Sequence, residues 1–356
     1  MNTAAIIGVG KAGGGGTRSG GHAIGYTHAH MYRRCDDVKL IAAADTSQTN
    51  LTAFAAKFEI AQAFDDSREM LAAVRPEIVS ICTYVGLHRE MIEACAGAGV
   101  KAVVCEKPFL AAPADLPAIR GLVAETGIRI VVPHVRRYMP AFTRARKLVA
   151  AGAIGQPILI STGCPGWDLC ESGSHSFDLI RFFMGDRAVQ WVFGQARVRA
   201  QRGFGHAMED FAVAHFSFED GVRGTVEAGL GLSAETGFYI AGSEGAIRVV
   251  GDETLHLIAR EGGRKESFAG RFPDGWESLK LRGSDDAWLS LWDMLLRDLL
   301  GWMEGGGEPR VGFASAIKSC ELNLAAYVSA LRGDRVDLPL VDGTVDYPVE
   351  LLVRRR

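Results

Sequence analysis

Apolar positions in the first third of the chain follow two alternating rhythms. Mostly apolar runs at 4–7, 38–44, 77–82, 100–105 and 128–132 read as strands buried on both faces. Between them apolar residues recur every three or four positions. Ile24, His28, Met31 and Tyr32 share one face of a helix over 23–34, and Leu51, Phe54, Ala55 and Phe58 one face of the next. A short strand is expected at 60–64, and helices at 67–74, 88–98 and 113–126. Strands alternating with helices imply right-handed crossovers and a parallel, doubly wound sheet across residues 1–133.

The rhythm changes over residues 134–356. Helices are expected at 140–151 and 172–183, with a strand at 157–162. Strand-like segments follow at 189–200, 210–219, 224–230, 238–241, 246–250 and 254–258. Glu219-Asp220-Gly221 and Gly242-Ser243-Glu244-Gly245 supply turns between them. Two long helices, 288–303 and 313–331, close the pattern. The prediction is an α/β chain, with an N-terminal Rossmann sheet and a C-terminal domain built on a large, mostly antiparallel open sheet with helices over one face.

The first run, Ala4-Ala5-Ile6-Ile7, leads straight into Gly8-Val9-Gly10, as a buried strand does where it ends at a nucleotide-binding turn. Gly13 completes a nominal GxGxxG. However, Gly14, Gly15, Gly16, Gly20 and Gly21 follow it, and such a run opens no stable helix. Spacing selects Gly25 as the third glycine. Asp45, the acidic residue expected on the adenosine ribose, stands 20 positions after Gly25 and 32 after Gly13. Fourteen residues, Lys11 to Ile24, then occupy a turn where two are usual. Asp45 favours NAD, since a carboxylate accepts from a 2′-hydroxyl and repels a 2′-phosphate. Lys11 and Arg18 in the loop leave NADP open. Arg18 and His22 are further expected to fold over the cofactor.

Composition narrows the class. Three hundred and fifty-six residues suit two domains, and 48% hydrophobic with 23% charged residues suits a globular protein. A net charge of −3 argues against a nucleic-acid surface, and Arg354-Arg355-Arg356 reads as a solvated tail. No apolar stretch approaches the ~20 residues of a membrane span, and no leader is expected before the first strand. Seven cysteines, mostly inside apolar runs, fit reduced thiols and a cytoplasmic setting. Cys164, Cys170 and His175 match no common zinc spacing, and no metal is expected.

Two places carry candidate chemistry. Glu106-Lys107-Pro108 follows the fifth strand, at the carboxyl end where open α/β sheets bind ligands; its proline is a candidate for a cis bond. The second place is Asp168 to Asp178, where Glu171 and His175 lie four apart on a predicted helix and Asp178 three further on. A histidine among carboxylates at a helix start suits an acid, a base and an orienting group; a capping carboxylate and a core histidine fit the spacing equally. Arg136, Tyr138, Trp167 and Asp168 are substrate-pocket candidates, because an arginine–aromatic–carboxylate lining suits a polyhydroxylated ring. His206, Glu209 and Asp210 begin a strand after a glycine-rich turn; a solvated loop is the default reading, with a contact to the cleft as the alternative.

The strand with Gly8-x-Gly10, Glu106-Lys107-Pro108 and Glu171-x-x-x-His175-x-x-Asp178 occur in the order and separation that resembles the glucose–fructose oxidoreductase/inositol dehydrogenase (Gfo/Idh/MocA) family. His134-Val135-Arg136-Arg137-Tyr138 resembles that family's segment between the two domains. The resemblance spans nearly the whole chain. It implies hydride transfer between NAD or NADP and a secondary hydroxyl of a sugar, cyclitol or sugar derivative. By this resemblance Lys107 touches the reacting hydroxyl and the nicotinamide ribose, and His175 is the acid/base. Glu171 stands where the family usually has Asp. The expected nucleotide contacts are Gly8, Gly10, Gly25, Asp45, Thr83, His88, Glu106 and Lys107. Thr83-Tyr84-Val85 replaces the usual Thr-Pro-Asn near the nicotinamide. The open sheet implies a homodimer or homotetramer. An NAD-dependent glycoside hydrolase acting by transient oxidation is the alternative, and intact Lys107 and His175 argue against a regulatory protein with a dead site.

Overall fold

The computed structural model describes residues 1–11, 23–233, 236–259, 262–274, 286–341 and 346–353. The long apolar runs become a sheet buried on both faces, because each crossover returns a helix onto it. Its elements are β1 (Asn2–Ile7), α1 (Ile24–Arg33), β2 (Val38–Ala44), α2 (Gln48–Phe58), β3 (Gln62–Phe64), α3 (Ser67–Val74), β4 (Ile78–Ile81), α4 (His88–Gly97), β5 (Ala102–Cys105), α5 (Asp115–Thr126) and β6 (Arg129–Val131). The strand order is β3-β2-β1-β4-β5-β6, and every pair is parallel. The order reverses between β1 and β4, and the crevice at that reversal is where such sheets hold ligands. Helix starts follow local chemistry: the Asp66 carboxylate accepts from Arg68 and Glu69 N–H ahead of α3, and Ser47 caps α2.

The second half contributes α6 (Pro140–Ala150), β7 (Pro157–Pro165), α7 (Gly173–Phe183), β8 (Val189–Gly203), β9 (His206–Phe218), β10 (Arg223–Gly229), β11 (Gly237–Gly242), β12 (Gly245–Val250), β13 (Thr254–Ala259), β14 (Arg264–Ser267), α8 (Ala287–Met303), α9 (Phe313–Arg332), β15 (Val336–Asp337) and α10 (Pro348–Val353). Among the described residues nine strands form one sheet in the order β14-β13-β12-β11-β7-β10-β9-β8-β15. Only β7 and β10 run parallel. The expected antiparallel sheet is present, with two additions at its edges: β14 and β15 carried too few apolar positions to stand out; the short helix α10 was also not expected. Alternate residues divide its faces. Val192, Ala212, Ile240 and Leu257 are buried, whereas their neighbours Phe193, Phe211, Tyr239 and Ile258 are exposed.

The two long helices serve different cores. Leu291, Trp292, Leu295, Leu296 and Leu299 of α8 pack with Ala4, Ile6 and Tyr32 of the first sheet and its helix, each buried leucine contributing about 1.5–3 kcal/mol. Arg34 and Asp293 close that contact with a buried ion pair. On α9, Ala316, Ile317 and Leu324 face the first sheet, while Leu322, Ala325 and Val328 face the second. This helix braces the two sheets against each other and so sets the cleft between them. All seven cysteines are free thiols. No helix among the described residues is long and apolar enough to cross a membrane.

Candidate active site

The turn after β1 is shaped for close approach. Gly8 adopts φ +84°, and a Cβ there would lie 2.9 Å from the Cys82 carbonyl carbon. At Gly25 a Cβ would lie 2.8 Å from the Val9 carbonyl oxygen, so only glycine lets α1 start flush against the turn. Gly25 thus takes the place of the third glycine, while Gly13, Arg18 and His22 lie outside the described residues. Gly10 N–H donates to Asp45 Oδ2 at 3.1 Å, and Ser47 N–H to Asp45 Oδ1 at 2.8 Å. A cleft of about 440 Å³ runs from Gly8 and Gly10 past Asp45 and Asn50 to Thr83 and Tyr84. Thr83 Oγ1 is buried and has no hydrogen-bond partner. A side-chain-free turn, an acidic far end and an unpaired hydroxyl fit a dinucleotide with its pyrophosphate at Gly8 and Gly10.

Glu106 and His88 sit behind this wall. Glu106 Oε1 faces His28 Nε2 at 3.0 Å and its Oε2 accepts from Lys107 N–H at 3.1 Å. His28 Nδ1 and Tyr32 Oη both meet Ser80 Oγ, at 2.8 and 2.7 Å. This buried chain fixes the carboxyl end of β5. His88, expected on the nucleotide, is instead fully buried. Its ring nitrogens lie 3.1 Å from the Phe109 carbonyl oxygen and 3.0 Å from that of Thr83. It ties two cleft loops together from beneath.

Lys107 stands at the junction of the two sheets, and the Lys107–Pro108 peptide is cis. Its Nζ donates to Glu171 Oε2 at 2.9 Å, with 17% of the side chain exposed. Glu171 lies in the turn before α7, not on the helix, and Asp168 Oδ1 accepts its N–H at 2.8 Å. His175, in the first turn of α7, is half-buried, its Nδ1 has no hydrogen-bond partner, and its ring centroid is 5.6 Å from that of His134.

Burial and charge set these groups apart. Burial, joined by the charges of Arg136 and Lys107, pushes His175 well below its ordinary value, so the ring is neutral at pH 7. Burial opposes the charge on Lys107, but Glu171 and Glu106 more than offset it and raise the ammonium's pKa. Burial would raise Glu171 as well; Lys107 and His206 instead hold it at about 2. The result is one fixed cation and one neutral base beside a dinucleotide cleft, with the carboxylate ionised between the cation and His206.

Other expectations change. Asp178 is not part of an acid–base set with Glu171: it is buried against Arg137 Nε at 2.7 Å, His134 Nδ1 at 3.2 Å and Ser319 Oγ at 3.1 Å. Tyr138 is buried, its hydroxyl donating to Asp298 Oδ2 at 2.9 Å, and does not line the pocket. Asp168 is likewise fully buried beneath the turn. Arg136 keeps a partly exposed side chain, its Nη2 3.8 Å from Asp252. Trp167 stays partly exposed and stacks on Phe204, with ring centroids 6.1 Å apart. His206, Glu209 and Asp210 do not form a solvated loop: they lie on β9 after a two-residue hairpin turn, where Phe204 and Gly205 both have positive φ. The turn carries His206 and Glu209 into the interior, where Glu209 accepts from Leu169 N–H at 2.6 Å and from Tyr327 Oη at 3.0 Å. Phe204-Gly205 before an alternating strand was the available signal.

Comparison with known proteins decides the relationship. The model described as "Oxidoreductase family, NAD-binding Rossmann fold" matches residues 3–134, and the one described as "GFO/IDH/MocA C-terminal domain" matches residues 142–248. The chain belongs to the Gfo/Idh/MocA family. It is 27% identical to a D-apiose dehydrogenase of Paraburkholderia graminis, over 87% of this chain and 86% of that one. An inositol 2-dehydrogenase of Rubrobacter xylanophilus is 28% identical over 81% and 86%. The structure of a levoglucosan dehydrogenase in complex with NADH and L-sorbose superposes with a TM-score of 0.76 at 20% identity, covering 96% and 99%. As a Gfo/Idh/MocA protein the chain is an NAD-dependent oxidoreductase of the family that acts on sugars and cyclitols.

Proposed function

We propose that this Gfo/Idh/MocA enzyme oxidises a secondary hydroxyl of a sugar, cyclitol or sugar derivative to a ketone, with NAD as acceptor. The observation that carries the reading is Lys107 ion-paired to Glu171 at 2.9 Å together with the partnerless Nδ1 of His175, the first held cationic and the second neutral by their surroundings. Bound NAD would supply the electrophilic carbon that takes the hydrogen and two electrons from the carbinol. Gly8, Gly10 and Gly25 hold the pyrophosphate, Asp45 the adenosine ribose, and the unpaired Thr83 hydroxyl the nicotinamide end. Lys107 stabilises negative charge developing on the substrate oxygen, and His175 accepts the hydroxyl proton. Glu171 orients Lys107. Arg136 and Trp167 flank the substrate, where a half-exposed ring suits the C–H face of a sugar.

Lys107→Ala and His175→Ala are each expected to lower kcat by about 10²-fold or more, with the NAD dissociation constant changed less than twofold. Wild-type turnover in both variants with a panel of sugars and cyclitols would end this assignment. Glycoside cleavage without net NAD reduction would instead mark the transient-oxidation hydrolase.

The open face of the second sheet supports self-association as a dimer or tetramer, through Ile158, Phe193, Phe211, Tyr239 and Ile258, all well exposed. Tyr239→Glu with Ile258→Glu is expected to yield monomers by sedimentation velocity. A monomeric wild type would refute the association.

A further inference from the structure

Glu171 has a partner on each carboxylate oxygen. Lys107 Nζ meets Oε2 at 2.9 Å, and His206 Nε2 meets Oε1 at 3.2 Å. His206 is fully buried, and its Nδ1 lies 2.8 Å from the Ala207 carbonyl oxygen. A carbonyl and an ionised carboxylate only accept hydrogen bonds, so a ring with both nitrogens protonated satisfies both partners. The hydrogen-bond pattern fits an imidazolium, and the carboxylates around the ring favour its charge.

Charged and titratable neighbours surround this ring from each element packed on it. Asp168, Cys170 and Glu171 come from the turn before α7, with Asp168 Oδ2 at 3.8 Å from Nδ1. From the segment at α10 come Tyr347, with its ring centroid at 6.0 Å, and Glu350. Lys107 lies on the far side of Glu171, and Glu209 with Tyr327 behind Asp168. Burial opposes the charge, and the neighbours outweigh it. Cys170 stays a thiol up to about pH 11 because it is buried, which leaves the carboxylates as the groups that keep the ring charged.

We infer that His206 is a positioning residue: a buried cation that holds Glu171 ionised and in place when Lys107 turns from it toward the reacting oxygen. This rests on the role proposed above for Lys107. To meet a developing alkoxide, the ammonium must share or leave its carboxylate. A buried carboxylate that loses its counter-ion is strongly destabilised. The second counter-ion removes that penalty, and the hairpin turn at Phe204 and Gly205 delivers it. Gly205 packs so near Tyr84 of the first domain that a Cβ would lie 3.3 Å from its ring. The hairpin carrying His206 is therefore seated against the wall of the nucleotide cleft.

The charge state is tested directly on the full-length wild type, labelled with ¹⁵N-histidine. At pH 8 the His206 ring, assigned by its loss in folded His206→Gln or His206→Lys, should show two protonated nitrogens; a neutral ring overturns the inference. Kinetics supply the second arm. His206→Gln keeps an N–H toward Glu171 without the charge. It should lower kcat about tenfold to a hundredfold at an unchanged KM for NAD. It should also create an acid limb above pH 5 in the kcat profile, absent from wild type, as Glu171 loses its counter-ion. His206→Lys should restore the flat profile. An unchanged kcat and profile in His206→Gln would overturn the inference while Lys107→Ala still lost activity; a fully active Lys107→Ala would instead remove the reading beneath it.

Discussion

The two walls of the cleft are built by opposite means. The nucleotide wall is made largely of backbone: Gly8 and Gly25 leave side chains out so that the turn packs on the Cys82 carbonyl and the helix start on Val9. Asp45 is tied to Gly10 and Ser47 N–H groups. The facing wall is made of buried charge. Lys107, Glu171 and His206 form one alternating row, and Arg137 with Asp178 and Asp186 a second row behind it. A backbone wall needs only the right residues in one short stretch. A charged wall needs partners from several elements, because a buried ion without a counter-ion costs several kcal/mol.

The largest test of that contrast removes one charge from the second row. Asp178→Asn should destabilise the protein by about 3–5 kcal/mol, read by urea unfolding at pH 7, because Arg137 remains buried without that counter-ion. Arg137 and His134 overcome the burial of Asp178 and hold its carboxyl below the usual range. A depressed carboxylate adds stability above its unfolded pKa of about 3.9, and that stability is lost as pH falls through the folded value. Wild type should therefore weaken below pH 4, and the variant much less. A loss under about 1 kcal/mol would mean the row behind the site is not held by charge.

A smaller effect is expected on the backbone wall. Asp45→Asn keeps an acceptor for only one of the Gly10 and Ser47 N–H groups, which now use one carboxylate oxygen each, and removes the charge. NAD should bind nearly as before, while discrimination against NADP falls about tenfold, some 1.4 kcal/mol. A variant that rejected NADP as strongly as wild type would show that shape, not charge, sets the preference.

The smallest effect is no change at all. His175 lies well below its ordinary value and Lys107 above its own. The base is then free and the cation intact at neutral pH, and kcat/KM for oxidation should be flat from pH 7 to 9. An acid limb with an apparent pKa of 6.5 or higher would show that the half-buried His175 is not the depressed base described above.

The same contrast explains what was legible along the chain. Gly8, Gly10, Gly25 and Asp45 are read from spacing because one local turn needs them all. Lys107 and His175 are read from their places, at a strand end and near a helix start. His88, Tyr138 and Asp168 carry the right chemistry for a pocket, yet each is buried behind it. Nothing local distinguishes a polar side chain aimed at a ligand from one aimed at Asp298 or at the Thr83 carbonyl. The sequence leaves His206 between a solvated loop and a cleft contact for the converse reason: glycine before a polar stretch signals a turn, and whether that turn meets solvent or a second sheet depends on packing. The placement of α8 on the first sheet is of the same kind, since its apolar face suits either core.

By itself the sequence determined the alternation of strands and helices and the turn after the first strand, where Gly25 stands flush against Val9. Their periodicities and spacings act over a few residues, where backbone geometry decides. Only the tertiary structure decided which groups are charged. Glu171 meets Lys107 across 64 positions and His206 across 35, and the protonation of a buried group depends on the counter-ions that folding brings to it.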